Sequence, residues 1–164
     1  MTPIRQLLVI NMPTVSSTDD EQRVAPGSEL RVWWIPDQNK EHCDHFPFLE
    51  ELIKYFRMIL ETKGPFDAIL GFSQGAAAAR LLLALVDRPE LHPEFSRAGE
   101  GAWPPRQFSM AILSSGFLPR DARVASWFED KLEVPSLHIL GSRDIVVSSG
   151  DSLNETTWSY LHQR

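Results

Sequence analysis

The stretch FDAILGFSQGAAAARLLLALV, Phe66–Val86, decides the fold of this chain. Its first five residues are nearly all apolar and show little alternation, which is typical of a strand covered on both faces. Residues 76–86 are apolar almost all round except for Arg80, which predicts a largely buried helix. The pentapeptide Gly71-Phe72-Ser73-Gln74-Gly75 stands directly between the two and matches the pattern G-x-S-x-G.

Ser73 at the centre of this pentapeptide is the candidate nucleophile. A serine on so tight a strand-to-helix turn has a strained backbone, which is tolerable only where neighbours such as Gly71 and Gly75 carry no bulky side chain. The turn raises the hydroxyl above the sheet edge, and it directs the helix N-terminus, with the backbone N–H of Gln74, toward a developing oxyanion. The alternative is a glycine-rich turn that only packs strand against helix.

Similar patterns recur along the rest of the chain. Short apolar runs predict four further strands, at 7–10, 30–35, 110–113 and 137–140. Apolar residues at three- and four-residue spacing predict a helix over 48–60, and a last helix is predicted over 151–161. Residues 88–105 are rich in proline, glycine and charge, and predict a surface excursion. Strands that alternate with helices indicate a parallel sheet and an α/β fold.

Composition narrows the class of protein. A chain of 164 residues with 43% hydrophobic side chains can bury one core, so we expect a single domain over 1–164. Sixteen basic against twenty-two acidic residues give a net charge of −6, which argues against a nucleic-acid partner. The only cysteine, Cys43, excludes an internal disulfide, and the apolar patch Leu7–Ile10 is too short for a signal sequence or a membrane span. We therefore expect a cytoplasmic protein with no membrane partner.

A serine nucleophile requires a base and an orienting acid, which follow the serine in chain order in this type of turn. Asp144 lies just beyond the predicted strand 137–140, so a loop at the carboxyl end of that strand would direct it toward the crevice of Ser73. Asp144 is the candidate acid; the alternative is a turn aspartate. His162 alone follows Asp144, and an exposed histidine at a helix end is favoured over a catalytic role.

The other histidines give weaker signals. His138 lies within a predicted strand and fits a core or sheet-face residue, and His92 lies in the surface excursion. The segment His42-Cys43-Asp44-His45 resembles half of a metal site, yet the chain has no second cluster at ligand spacing, so a solvated loop is favoured. We expect no metal and no organic cofactor.

Four segments carry a resemblance to a known family: residues 31–34, 64–76, 111–117, and 134–141 with Asp144. Over about residues 33 to 147 the chain is similar to the family of serine hydrolases of the FSH type, within the α/β-hydrolases. That family includes small esterases and polyketide-releasing thioesterases of fungi. The second segment, with Phe-Asp-x-x-x-Gly-Phe-Ser-Gln-Gly-Ala, is the most specific match.

The resemblance implies an α/β-hydrolase-like parallel sheet with helices on both faces. It also implies acyl transfer from a small ester or thioester to water by Ser73 and Asp144. Members begin with a strand leading into a His-Gly motif and end with a Gly-x-His loop. Val9-Ile10-Asn11-Met12-Pro13 and the residues before Arg164 match neither motif. We therefore expect a chain truncated at both ends, without the first strand and the C-terminal histidine loop of the family fold. The alternative is an inactive hydrolase-like domain that binds an acyl ligand or a protein.

Overall fold

The computed structural model describes residues 4–10, 49–96, 103, 108–118, 121–129 and 131–141. Four strands form one parallel sheet in the order β1-β2-β3-β4. They are β1 (Leu7–Ile10), β2 (Ala68–Phe72), β3 (Met110–Ser114) and β4 (Ser136–Ile139). The predicted α/β fold with a parallel sheet is confirmed. The strand predicted at 30–35 and the helix predicted at 151–161 lie outside the described residues.

The two long helices follow from their apolar spacing. Helix α1 (Leu49–Lys63) buries Leu52, Ile53, Phe56 and Leu60, and it begins with acidic residues and ends with a lysine, as the helix dipole favours. Helix α2 (Gln74–Asp87) is buried on nearly every side, from Gly75 to Val86. It ends where the Arg88 N–H donates to the carbonyl of Ala84 at 2.8 Å. No helix in the described ranges has both the length and the apolar character that a bilayer crossing requires.

The strands differ in exposure between the two faces of the sheet. Leu8, Ile69, Ala111 and Leu113 lie on the buried face and belong to the same core cluster as the apolar residues of α1 and α2. Because the strand order advances in one direction, right-handed crossovers place the connecting helices on that face. No helix of the described residues covers the opposite face, where large apolar side chains are exposed, with Val9 52%, Phe72 61% and Ile139 49% exposed. The expectation of helices on both faces therefore stays a prediction.

Several element boundaries differ from the sequence-based expectation, and those of β2 and α2 bear on the site. The sequence predicts a strand over 66–70, whereas β2 covers Ala68–Phe72. Pairing with β1 begins only where the Gln6 carbonyl accepts hydrogen bonds from the Asp67 and Ala68 N–H groups. Helix α2 begins two residues before the predicted Ala76, directly after Ser73. A short helix, α3 (Pro93–Ser96), and 3₁₀ turns at Pro89–Leu91 and Ala125–Phe128 complete the described elements.

The surface excursion predicted after α2 is partly wrong. Phe95, in α3, is buried, and its ring lies 5.4 Å from that of Trp103 with an interplanar angle of 52°. The indole N–H of Trp103 donates to the carbonyl of Phe95 at 3.1 Å, and the Arg57 guanidinium lies 4.8 Å from the centre of the indole ring. The segment therefore adds an aromatic cluster to the core beside α1.

Candidate active site

The carboxyl ends of three strands meet at one edge of the sheet. Phe72 of β2 pairs with Ser114 of β3, and Ser114 pairs with Ile139 of β4. Ser73 directly follows β2 and Ser115 directly follows β3, so the two serines lie at the same edge of the sheet. In open parallel sheets this edge is where ligands bind.

Ser73 has an unusual backbone at this edge. Its φ of 52° and ψ of −120° lie in a region that residues with a side chain rarely adopt. The Ser73 N–H donates to the carbonyl of Ser114 at 2.9 Å, and the Ser73 carbonyl accepts from the N–H of Ala76 at 2.9 Å. The side chain makes no capping hydrogen bond to α2. The Ser73 backbone is thus hydrogen-bonded to β3 on one side and to α2 on the other. The side chain of this half-buried serine does not cap the helix.

Gly71 explains why this turn can be so tight. A Cβ at Gly71 would lie 2.4 Å from the carbonyl oxygen of Gly75 and 2.6 Å from the Cα of Ala76. Both are backbone atoms of α2, which no side-chain rotation could move away. The first turn of α2 therefore packs directly on the β2 backbone, as expected from the sequence.

A second bend, at the end of β3, is a feature that sequence reasoning missed. Ser115 has a φ of 46°, and its N–H donates to the carbonyl of Ile139 at 2.8 Å. The next residue, Gly116, lies so close to α2 that a Cβ there would be 2.9 Å from the Cβ of Ala76. A serine pair followed by glycine directly after an apolar strand was the available signal, but sequence gives no distance to α2.

Two phenylalanines follow the carboxyl ends of β2 and β3: Phe72 directly precedes Ser73, and Phe117 directly follows Gly116. Phe72 is mostly exposed on the open face of the sheet, so it is not a core residue. Phe117 is partly buried and packs against the core. Gln74 is the first residue of α2, and the first N–H groups of a helix have no acceptor within that helix. Gln74 thus directly follows Ser73 at the start of α2, and its role as the oxyanion donor stays a prediction.

The two described histidines are engaged away from Ser73. His92 follows the C-terminal end of α2, a helix of 14 residues and so about 20 Å long, and its ring lies 3.3 Å from the Glu50 carboxylate. His138 lies on the covered face of β4, where its Nε2 is 3.1 Å from the Ser136 hydroxyl. Burial, and then the positive charge of Arg80, lower the pKa of His138 to about 4. An imidazole with such a pKa is a poor base at neutral pH.

The remaining predicted residues lie outside the described part of the chain. Asp144 follows Gly141, the last described residue after β4, by three positions. His162 and the segment 42–45 also fall outside it. Among the described residues, no three His, Cys, Asp or Glu side chains are grouped as ligands of a metal ion would be.

The model of the family described as Serine hydrolase (FSH1) matches residues 6–159. The chain is 34% identical to the mouse (Mus musculus) protein named Esterase OVCA2 over 146 residues, which cover 84% of this chain and 58% of that protein. It is 36% identical to the human (Homo sapiens) Esterase OVCA2 over 138 residues, or 78% and 54% of the two chains.

A more distant relative is the Drosophila melanogaster protein named Esterase CG5412. It is 30% identical over 138 residues, which cover 77% of this chain and 43% of the relative. The chain thus spans about half the length of these relatives.

Proposed function

The chain belongs to the Serine hydrolase (FSH1) family, and from that premise we propose that it hydrolyses a carboxylic ester or thioester with Ser73 as the nucleophile. One observation carries the proposal: Ser73 has a φ of 52° between β2 and α2, while its hydroxyl makes no capping bond. Strained backbone at a helix N-terminus is costly, and it is found where a side chain must be presented to a ligand. The names of the relatives, which include the word esterase, support the same reaction class.

The proposed reaction has two steps. The Ser73 oxygen attacks the carbonyl carbon while a base removes the hydroxyl proton, and the carbonyl oxygen becomes an anion that accepts a hydrogen bond from the Gln74 N–H. The intermediate collapses, the leaving alcohol or thiol takes the proton, and Ser73 carries the acyl group. Water, which loses a proton to the same base, then attacks the acyl carbonyl. The bond from the acyl carbon to the Ser73 oxygen breaks, that oxygen takes the proton back from the base, and the acid is released.

We propose that Asp144 orients the base in this reaction. Gly141 follows β4 at the edge of the sheet that carries Ser73, and Asp144 comes three residues later. A carboxylate hydrogen-bonded to an imidazole fixes its tautomer and stabilises the cation that forms when the proton is taken up. Neither described histidine suits the role of base, because His138 is bonded to Ser136 and His92 follows the opposite end of α2.

The substrate we propose is a small ester or thioester with an apolar acyl group. Phe72, adjacent to the nucleophile, presents an exposed aromatic ring that can contact such a group. Rates of hydrolysis of p-nitrophenyl butyrate and of the butyryl thioester of N-acetylcysteamine would rank the two classes. Phe72→Ala should raise KM for butyryl esters more than for acetyl esters if the ring contacts the acyl chain.

A fluorophosphonate probe tests the nucleophile directly. The wild-type chain should be labelled on the peptide that contains Ser73, and Ser73→Ala should abolish labelling. Ser126→Ala, a change at an exposed serine in the 3₁₀ turn after β3, is the matched control and should leave labelling unchanged. Labelling that persists in Ser73→Ala would contradict the proposal.

A second candidate function is binding of an acyl ligand without turnover. It is favoured by the placement of the two described histidines, neither of which is set to serve Ser73. In that case the probe would leave the protein unlabelled, while a non-hydrolysable fatty acyl amide would still raise the melting temperature. Labelling of Ser73 would exclude the inactive domain.

We also propose that the protein acts in the cytoplasm. Cys43 is the only cysteine in the chain, and a thiol without a partner suits a reducing compartment. Fractionation of cells that express the tagged gene product tests this location, and recovery of the protein from the medium would contradict it.

A further inference from the structure

The first turn of α2 is enclosed by two glycines, Gly71 in β2 and Gly116 in the bend that follows β3. On one side, the missing Cβ of Gly71 leaves room for the Cα and backbone nitrogen of Ala76. On the other side, Gly116 faces the Cβ of Ala76, to which an added Cβ would be only 2.9 Å away. Ala76 is fully buried between them, so the depth of α2 against the sheet is set by two absent side chains.

Backbone hydrogen bonds couple the position of Ala76 to that of Ser73. The Ala76 N–H donates to the Ser73 carbonyl at 2.9 Å, and the Ala77 N–H lies 3.3 Å from the same oxygen. Gln74, whose N–H is the proposed oxyanion donor, lies between Ser73 and Ala76 in the first turn of α2. A shift of Ala76 therefore moves the nucleophile and the oxyanion donor with it.

We propose that Gly116 is a positioning residue, which sets the alignment of Ser73 and the Gln74 N–H by letting Ala76 approach β3. This inference rests on the proposed function for its effect on rate, but its geometric part concerns the elbow alone. Gly71 is the member of the pair that the G-x-S-x-G pattern already requires. Gly116 lies 45 residues after Gly71 in sequence, just beyond the end of β3, and has no place in that pattern.

Gly116 does not need to be glycine for the sake of its backbone conformation. The strained φ at this bend, 46°, belongs to Ser115, and the φ of Gly116 lies outside the left-handed region. An alanine at position 116 therefore has no backbone penalty of that kind. Its principal effect is the contact with the Ala76 methyl group, which has no rotamer that could avoid it.

The size of the effect follows from the distance. Methyl carbons pack at about 3.5–4.0 Å, so a gap of 2.9 Å must widen by roughly 0.6–1.1 Å. A misplacement of about 1 Å in a catalytic group can cost on the order of a hundredfold in rate. Gly116→Ala should lower kcat by about 10- to 100-fold and change KM by less than about threefold.

The test is a pair of substitutions with rescue. Gly116→Ala introduces the contact, Ala76→Gly removes its partner, and the double variant should recover kcat to within about fivefold of Ala76→Gly alone. A Gly116→Ala variant that turns over like wild type would overturn the proposal. So would a double variant that stays as slow as Gly116→Ala, or that does not fold. If Gly116→Ala itself fails to fold, recovery of a folded double variant supports the proposal.

Gly64→Ala is the control for simple destabilisation. A Cβ at Gly64 would lie 2.5 Å from the Leu60 carbonyl oxygen, at the amino-end side of β2 and so away from Ser73. This variant should lower the melting temperature and leave kcat unchanged. A loss of kcat in Gly64→Ala as large as that in Gly116→Ala would contradict a specific role for Gly116.

A second measurement separates this proposal from the proposed function. The Ser73 N–H is bonded to the Ser114 carbonyl at 2.9 Å, and its hydrogen exchange can be followed by NMR without any turnover. Gly116→Ala should speed exchange at Ser73 by at least about tenfold, and the double variant should restore it. If wild type neither turns over esters nor is labelled, the proposed function fails. Unchanged exchange at Ser73 in Gly116→Ala would overturn the positioning role in either case.

Discussion

Gly71→Ala is the substitution that most severely tests the packing of α2 on β2. The added methyl carbon would lie 2.4 Å from the Gly75 carbonyl oxygen and 2.7 Å from the Ala76 nitrogen, against packing distances of about 3.5 Å or more. Because both are backbone atoms, the helix must move away by about 1 Å. Overpacking of this kind costs about 1–3 kcal/mol, and at about 2–4 °C per kcal/mol the melting temperature should fall by roughly 2–12 °C.

The assay combines calorimetry with fluorophosphonate labelling. Ile69→Val is the matched control, because Ile69 is fully buried in the same strand and on the same face. Its truncation costs about 0.5–1.5 kcal/mol and adds no atom that would push α2 away. Gly71→Ala should lose both stability and labelling, whereas Ile69→Val should lose stability alone. A Gly71→Ala protein with wild-type melting temperature and wild-type labelling would refute the packing described for the turn.

Three further predictions concern stability. The pKa of His138 is about 4 in the folded chain, against 6.5 ordinarily. Between these two pH values the imidazole is protonated in the unfolded chain and neutral in the folded chain. The free energy of unfolding therefore rises with pH over this range. His138→Gln should remove that part of the slope, on the order of 1 kcal/mol between pH 5 and 7.5 after allowing for solvent screening of a half-buried ring. Phe95→Ala should cost about 3–5 kcal/mol in urea unfolding, because Phe95 is buried against Trp103. Asp121→Ala should cost about 1–3 kcal/mol, since the buried carboxylate accepts from the Arg123 N–H at 2.9 Å.

Each of these has a clear contrary result. A His138→Gln protein with the same pH slope as wild type would show that the ring is not shielded by burial and by Arg80. A loss below about 1 kcal/mol in Phe95→Ala would mean that α3 does not belong to the core. An Asp121→Ala protein as stable as wild type would show that the turn after β3 does not require its carboxylate.

The sheet and its two long helices could be predicted because their apolar patterns are strong. Leu7–Ile10 was predicted with the observed bounds, and the apolar run of α2 is too long and too continuous to be anything but a buried helix. The shift of β2 by two residues could not be predicted, because it depends on hydrogen bonds from Asp67 and Ala68 to Gln6, which precedes Asp67 by 61 residues. Local sequence does not record such pairing.

The candidate site was predictable only in part for the same reason. Ser73 and Gly71 follow from a local pattern, since the turn that requires them is made by neighbouring residues. Gly116 acts on Ala76 across two strand ends, so its role depends on a distance of 2.9 Å that no spacing in the sequence encodes. Phe95 was assigned to a surface excursion because its charged and proline-rich neighbours dominate the local composition, although its own side chain is buried.

In the proposed reaction Ser73, raised on the turn between β2 and α2, attacks a carbonyl whose oxygen is bound by the Gln74 N–H. A crystal structure of the protein after reaction with a fluorophosphonate tests both parts at once. We expect a covalent bond from the Ser73 Oγ to phosphorus, with a phosphoryl oxygen about 2.7–3.1 Å from the Gln74 nitrogen. A phosphorus atom on any other residue, or a phosphoryl oxygen directed away from α2, would contradict it.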